Sequence, residues 1–138
     1  MLNLAQPKDA HVNQRLQTDY IIWFATIHGD RPHLVPVWFL WDGTSILIFS
    51  KPNTVKVRDI RKNSNVTLAL EAGNEGDDVV LIEGEAVLLD PAAVSATLPA
   101  YVQKYAQLLQ DMGVNAQAMA AEYSQPIRVI PTKFTSWE

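Results

Sequence analysis

Apolar and polar positions change period repeatedly along this chain, and each change marks an element. Residues 9–19 place Val12 and Leu16 four apart on one stripe, which predicts a short helix. Residues 20–27 are β-branched and aromatic, a strand signature. The turn His28-Gly29-Asp30-Arg31-Pro32 leads to a second strand at 33–41. Asp42-Gly43 is a two-residue hairpin signal, and 44–50 is the third strand. Pro52 cannot continue a sheet, and Asn53 or Thr54 can cap a helix that runs to about residue 63. Strands at 66–71 and 79–89 flank a polar, acidic loop at 73–78. Pro91 opens a helical region that Pro99 restarts, with Val102, Tyr105, Leu109 and Met112 on one face and Gly113 at its end. Asn115 caps a short helix carrying Met119 and Tyr123, and 127–134 is the last strand.

The pattern predicts an all-β chain with peripheral helices: six strands, joined largely by short turns and therefore antiparallel. The second and third strands are apolar on both faces. In the second, one face shows Val35, Val37 and Phe39 and the other Leu34, Trp38 and Leu40. An open single-layer sheet would leave one of those faces in water. A small barrel covered outside by a helix or a second subunit would not. The expectation is a six-stranded antiparallel barrel forming a homodimer. Trp23, Trp38 and Trp41 are expected in the core. On the fifth strand Glu83 and Glu85 share a face, which is expected to meet solvent.

A length of 138 residues suits one domain, taken as 1–138. Hydrophobic residues at 48% and charged residues at 19% exclude a disordered chain. There is no cysteine, so disulfide scaffolds, thiolate metal sites and cysteine nucleophiles drop out together. A net charge of −4 argues against a nucleic-acid partner. Residues 1–10 hold no signal-like apolar stretch, and no run approaches the roughly twenty residues that span a bilayer. A cytoplasmic protein with no membrane partner is expected. None of the six glycines builds a dinucleotide or phosphate loop. His28 and His33 flank a turn and read as surface residues, with metal binding a weak alternative; no metal site is assigned.

One window departs from the acidic balance. Lys51, Lys56, Arg58, Arg61 and Lys62, five of eleven cations, fall within residues 51–62, where a strand turns sharply into a basic helix. A helix N-terminus presents unpaired N–H groups and the positive end of a dipole, so anions bind there. At about 100° per residue, Lys56 points away from Arg58, Arg61 and Lys62. Lys51, Thr54 and Lys56, with the Ser50 hydroxyl, are thus candidates for one phosphate. An ordinary amphipathic helix with solvated cations would carry the same charges. Its place after a doubly apolar strand favours a site, because a planar apolar ring can lie on that strand. Pro36 marks an edge or bulge with free backbone groups, and Trp38 shares its face.

The segments ATIHGDRPHLVPVWFLWDG at 25–43 and FSKPNTVKVRDIRKNSNVTLAL at 49–70 resemble the pyridoxamine 5′-phosphate oxidase-like flavin-binding split-barrel superfamily, in particular its deazaflavin branch. VVLIEGEAVLL, YVQKY, YSQPIRVIPTKF and Trp137 continue the likeness over nearly the whole chain. The resemblance implies a split-barrel homodimer with cofactor sites at the subunit interface. It implies FMN or coenzyme F-420 as cofactor, with Val35, Pro36, Val37 and Trp38 along the ring and Ser50, Lys51, Thr54 and Lys56 at the phosphate. The oxidase proper has Ser-Arg-Lys where this chain has Thr54-Val55-Lys56, one cation fewer, and its pyridoxal-phosphate residues are not evident. The implied function is a flavin- or deazaflavin-dependent oxidoreductase of a small-molecule substrate, without pyridoxamine phosphate oxidation. The alternative is a non-catalytic flavin- or haem-binding carrier or sensor.

Overall fold

Every predicted element forms, but the second strand forms as two. The computed structural model describes residues 1–138. Its order is α1 (Pro7–Thr18), β1 (Ile22–His28), β2 (Arg31–Val37), β3 (Leu40–Trp41), β4 (Ile46–Ser50), α2 (Val55–Lys62), β5 (Asn65–Leu70), β6 (Val79–Leu88), α3 (Ala93–Met112), α4 (Ala116–Glu122) and β7 (Gln125–Trp137). The sheet has seven strands rather than six, in the order β2-β1-β5-β6-β7-β4-β3, and every neighbouring pair is antiparallel.

The break has a clear cause. β2 pairs with β1 at one end of the sheet and β3 pairs with β4 at the other, so Trp38 and Phe39 carry the chain from edge to edge. Phe39 then has no strand partner for its backbone, and α3 supplies one. Its N–H donates to the Tyr105 hydroxyl at 2.8 Å, and its carbonyl accepts from Lys104 Nζ at 2.8 Å. The Tyr105 hydroxyl donates onward to the Tyr20 carbonyl at 2.6 Å. A buried backbone group without a partner is costly, so these two side chains make the break tolerable. With one segment serving both edges, the sheet curls into a split barrel with peripheral helices.

Two apolar clusters account for the doubly apolar strands. Ile46 and Ile48 of β4 point into the barrel beside Ile22, Phe24, Leu68, Ile82 and Ile127. Leu47 and Phe49 point outward and are buried beneath Val94, Leu98, Tyr101, Tyr105 and Leu109 of α3. The chain's own helix therefore covers the outer face of β4. The outer face of β2 is left open, with Leu34 59% exposed.

Pro99 does not restart the helix but lies inside α3. Leu98, Tyr101 and Tyr105 hold both halves of α3 onto the sheet across the missing N–H. The three tryptophans are half-buried rather than core. Each of two indole N–H groups needs a partner near the surface, and Trp23 donates to Glu71 while Trp41 donates to Asn13. Glu83 and Glu85 face solvent as expected. Beside them β7 bulges, and a Cβ at Gly84 would lie 2.7 Å from the Ile130 carbonyl oxygen, which only glycine avoids. No helix is long and apolar enough to cross a membrane.

Candidate functional site

The strand-to-helix junction begins at Ser50, which is 1% exposed. Its hydroxyl donates to the Lys51 carbonyl at 2.9 Å and lies 3.2 Å from the Thr54 hydroxyl. Asn53 turns the chain with φ 65°, a left-handed conformation that Asn tolerates better than most residues. Thr54 is the N-cap residue of α2, yet its side chain caps nothing. The first-turn N–H groups are thus open to another acceptor.

Along α2, Val57 and Ile60 point into the barrel and Arg58, Arg61 and Lys62 face solvent. Lys56 takes a third direction and is half-buried. Burial lowers its pKa, and no carboxylate offsets that effect. The helical division of the cations read from the sequence therefore matches the burial of these residues.

Lys56 stands at a cavity of about 500 Å³. Val35, Pro36, Val37 and Trp38 form one wall, at the edge strand and its crossover. Phe49 of β4 and Tyr101 and Leu109 of α3 form another, and Met119, Glu122 and Tyr123 close it from the α4 end. Trp38 stacks on Tyr105 at 4.3 Å between centroids, and Phe49 lies 4.5 Å from Tyr101. Burial, then the neighbouring tyrosines, holds the Tyr101 phenol far above its ordinary value, so it stays neutral. The cavity offers flat apolar walls and one unpaired cation beside an uncapped helix start.

Of the site residues expected from sequence, Val35, Pro36, Val37, Trp38 and Lys56 line this cavity together. Ser50, Lys51 and Thr54 do not line it. Ser50 and Thr54 meet at the junction, their hydroxyls 3.2 Å apart. Lys51 turns to α4, with Nζ 2.9 Å from Glu122 Oε1 and 5.5 Å from the Tyr123 ring centroid. The Glu122 hydrogen bond and charge raise the Lys51 pKa. The α3–α4 wall was not foreseen as part of the site. The apolar stripe through Tyr105 and Leu109 marks a buried face, but nothing local in the sequence says which strand it meets.

A second polar group ties α2 to the sheet. Asp59 is 3% exposed and accepts hydrogen bonds from Thr26 Oγ1 and His28 Nδ1, both at 2.7 Å. Burial alone would raise its pKa; the bonds and the charges of His28 and His33 hold it below the ordinary value. His28 is therefore engaged by Asp59. No cluster of three or more His, Asp or Glu side chains capable of holding a metal is present.

Three solved structures share this fold. An F-420 reductase is 21% identical with TM-score 0.67, covering 89% of this chain and 94% of its own. An FAD-binding protein from Mesorhizobium loti is 14% identical with TM-score 0.69, covering 92% and 91%. A haem storage protein from Vibrio cholerae is 13% identical with TM-score 0.68, covering 96% of each chain. At these identities the likeness speaks for the fold alone. No curated protein matches the sequence. The family model described as pyridoxamine 5′-phosphate oxidase matches residues 9–138, nearly the whole length, and the chain belongs to that family.

Proposed function

We propose that the chain binds a flavin-type cofactor, FMN or coenzyme F-420, in this cavity and works as a cytoplasmic oxidoreductase on a small-molecule substrate. Lys56 carries this reading. A half-buried ammonium without a carboxylate partner is costly, and an anionic group placed against it removes that cost. The residues present fit such a group. Lys56 and the first-turn N–H groups of α2 would hold its phosphate, with the Thr54 and Ser50 hydroxyls at the same strand-to-helix junction. Val35, Pro36, Val37 and Trp38 would lie along its ring, since β2 is an edge strand whose outer backbone groups are unpaired in one chain.

When bound, a flavin or deazaflavin supplies the hydride chemistry. The chain's side chains bind and orient it, and Phe49, Tyr101 and Leu109 exclude water. None is assigned a proton transfer. The open apolar face of β2, with Leu34 exposed, supports a homodimer whose second subunit completes the site.

A visible spectrum of the purified protein, followed by separate titrations with FMN and coenzyme F-420, tests the reading. Binding at micromolar concentration or tighter is expected for one of them. Lys56→Ala should weaken it by about 1.5–3 kcal/mol, the range for a charge-assisted hydrogen bond, and Arg61→Ala should leave it unchanged. Binding of neither compound overturns the reading. A Soret band would favour the non-catalytic haem carrier instead, a reading supported by the fold shared with the haem storage protein. For that reading the cavity provides Met112 and Met119 but no histidine. Light scattering that shows only monomer would remove the shared-site arrangement.

A further inference from the structure

The charges at the cavity mouth are uneven. Lys56 is unpaired, whereas Lys51 is held by Glu122 at 2.9 Å, and Glu122 itself lines the cavity. Two cations and one carboxylate leave a single net positive charge where an anion would sit. Glu122 also closes α4, whose last turn has no basic residue, so the negative end of that helix dipole adds to the carboxylate.

We propose that Glu122 makes the cavity select a phosphodiester, with one negative charge, over a phosphate monoester. The proposal rests on the cofactor reading above and concerns which phosphate that site accepts. A monoester carries about −1.5 to −2 at neutral pH because its second ionisation lies near 6. A diester keeps one charge, which Lys56 alone balances. The second charge of a monoester would meet no further free cation, because Lys51 is already paired with Glu122. Specificity of this kind comes from a repulsive group facing the wrong ligand as much as from attraction to the right one. The Lys51–Glu122 pair is half-exposed, with side chains 49% and 59% accessible, so removing the carboxylate does not strand a buried charge.

The test compares FMN with its methyl phosphodiester, which has the same ring and chain and one charge fewer. Binding is read by quenching of tryptophan fluorescence in the native chain and in Glu122→Gln. The native chain is expected to bind the methyl ester at least as tightly as FMN. Glu122→Gln is expected to tighten FMN roughly three- to tenfold, as loss of one repulsive charge on the lining of the same cavity implies, and the methyl ester distinctly less. A native preference for FMN, or an equal shift for both compounds, overturns the role of Glu122 while leaving the cofactor site standing. Binding of neither compound to either protein overturns the proposal together with FMN as the cofactor.

Discussion

Lys104 lies 3.7 Å from the Phe39 ring centroid while donating to the Phe39 carbonyl, and burial lowers its pKa to about 8. An unfolded lysine titrates near 10.5, so between about 8 and 10.5 the unfolded chain keeps a proton the folded chain has lost. Stability should therefore rise with pH across that window. Lys104→Met keeps the stem and removes the titration, and it should flatten the rise in Tm between about pH 8 and 10. A slope that persists in the variant would assign the effect elsewhere. Tyr101 and Tyr105, whose phenols are pushed up by burial, act in the opposite sense only above their ordinary value of 10.0. Lys56 differs from Lys104 in having no acceptor of its own.

The crossover at Trp38 and Phe39 decides the architecture at the scale of elements. α3 holds it through Tyr105 and Lys104, and the same helix presents Tyr101 and Leu109 to the cavity. Tyr105→Phe keeps the ring stacked on Trp38 but leaves the Phe39 N–H and the Tyr20 carbonyl without partners. It should cost about 2–3 kcal/mol in urea unfolding. A loss below about 0.5 kcal/mol would mean that water replaces the hydroxyl. Asp59 does similar work for α2, fixing the helix to the β1–β2 hairpin through Thr26 and His28. Both sides of the cavity are thus anchored by buried polar contacts at points away from its lining.

Across the whole molecule the cover is uneven. α4 has no buried residue, whereas β6 and β7 share a long antiparallel ladder with Val80, Ile82, Ile127 and Val129 in the core. Local opening takes place first where little apolar surface is buried. Amide exchange should therefore be fast across residues 116–122 and slow across β6 and β7, and FMN or coenzyme F-420 in saturating amount should slow it at α4. Ligand-independent exchange at α4 would place the bound ring elsewhere.

Much of this was legible because it depends on local pattern. Alternation marked the strands, Pro52-Asn53-Thr54 marked the start of α2, and helical spacing separated Lys56 from Arg58, Arg61 and Lys62. Five of the eight expected site residues, Val35, Pro36, Val37, Trp38 and Lys56, meet at one cavity; local signals marked Pro36, Trp38 and Lys56, and the family resemblance added Val35 and Val37. Three matters were settled by tertiary contact. The strand at 33–41 broke because its two halves pair at opposite edges of the sheet, and Phe39 between them finds its backbone partners on Tyr105 and Lys104, more than sixty positions away. Lys51 left the cavity lining because Glu122 reached it from α4. The outer face of β4 was covered by α3. The sequence by itself determined periodicity, turn chemistry, the sign of each charge and the helical face of those on α2, which follow from neighbouring residues. Only the tertiary structure decided which faces and charges met, because pairing across long separations depends on packing that no local window contains.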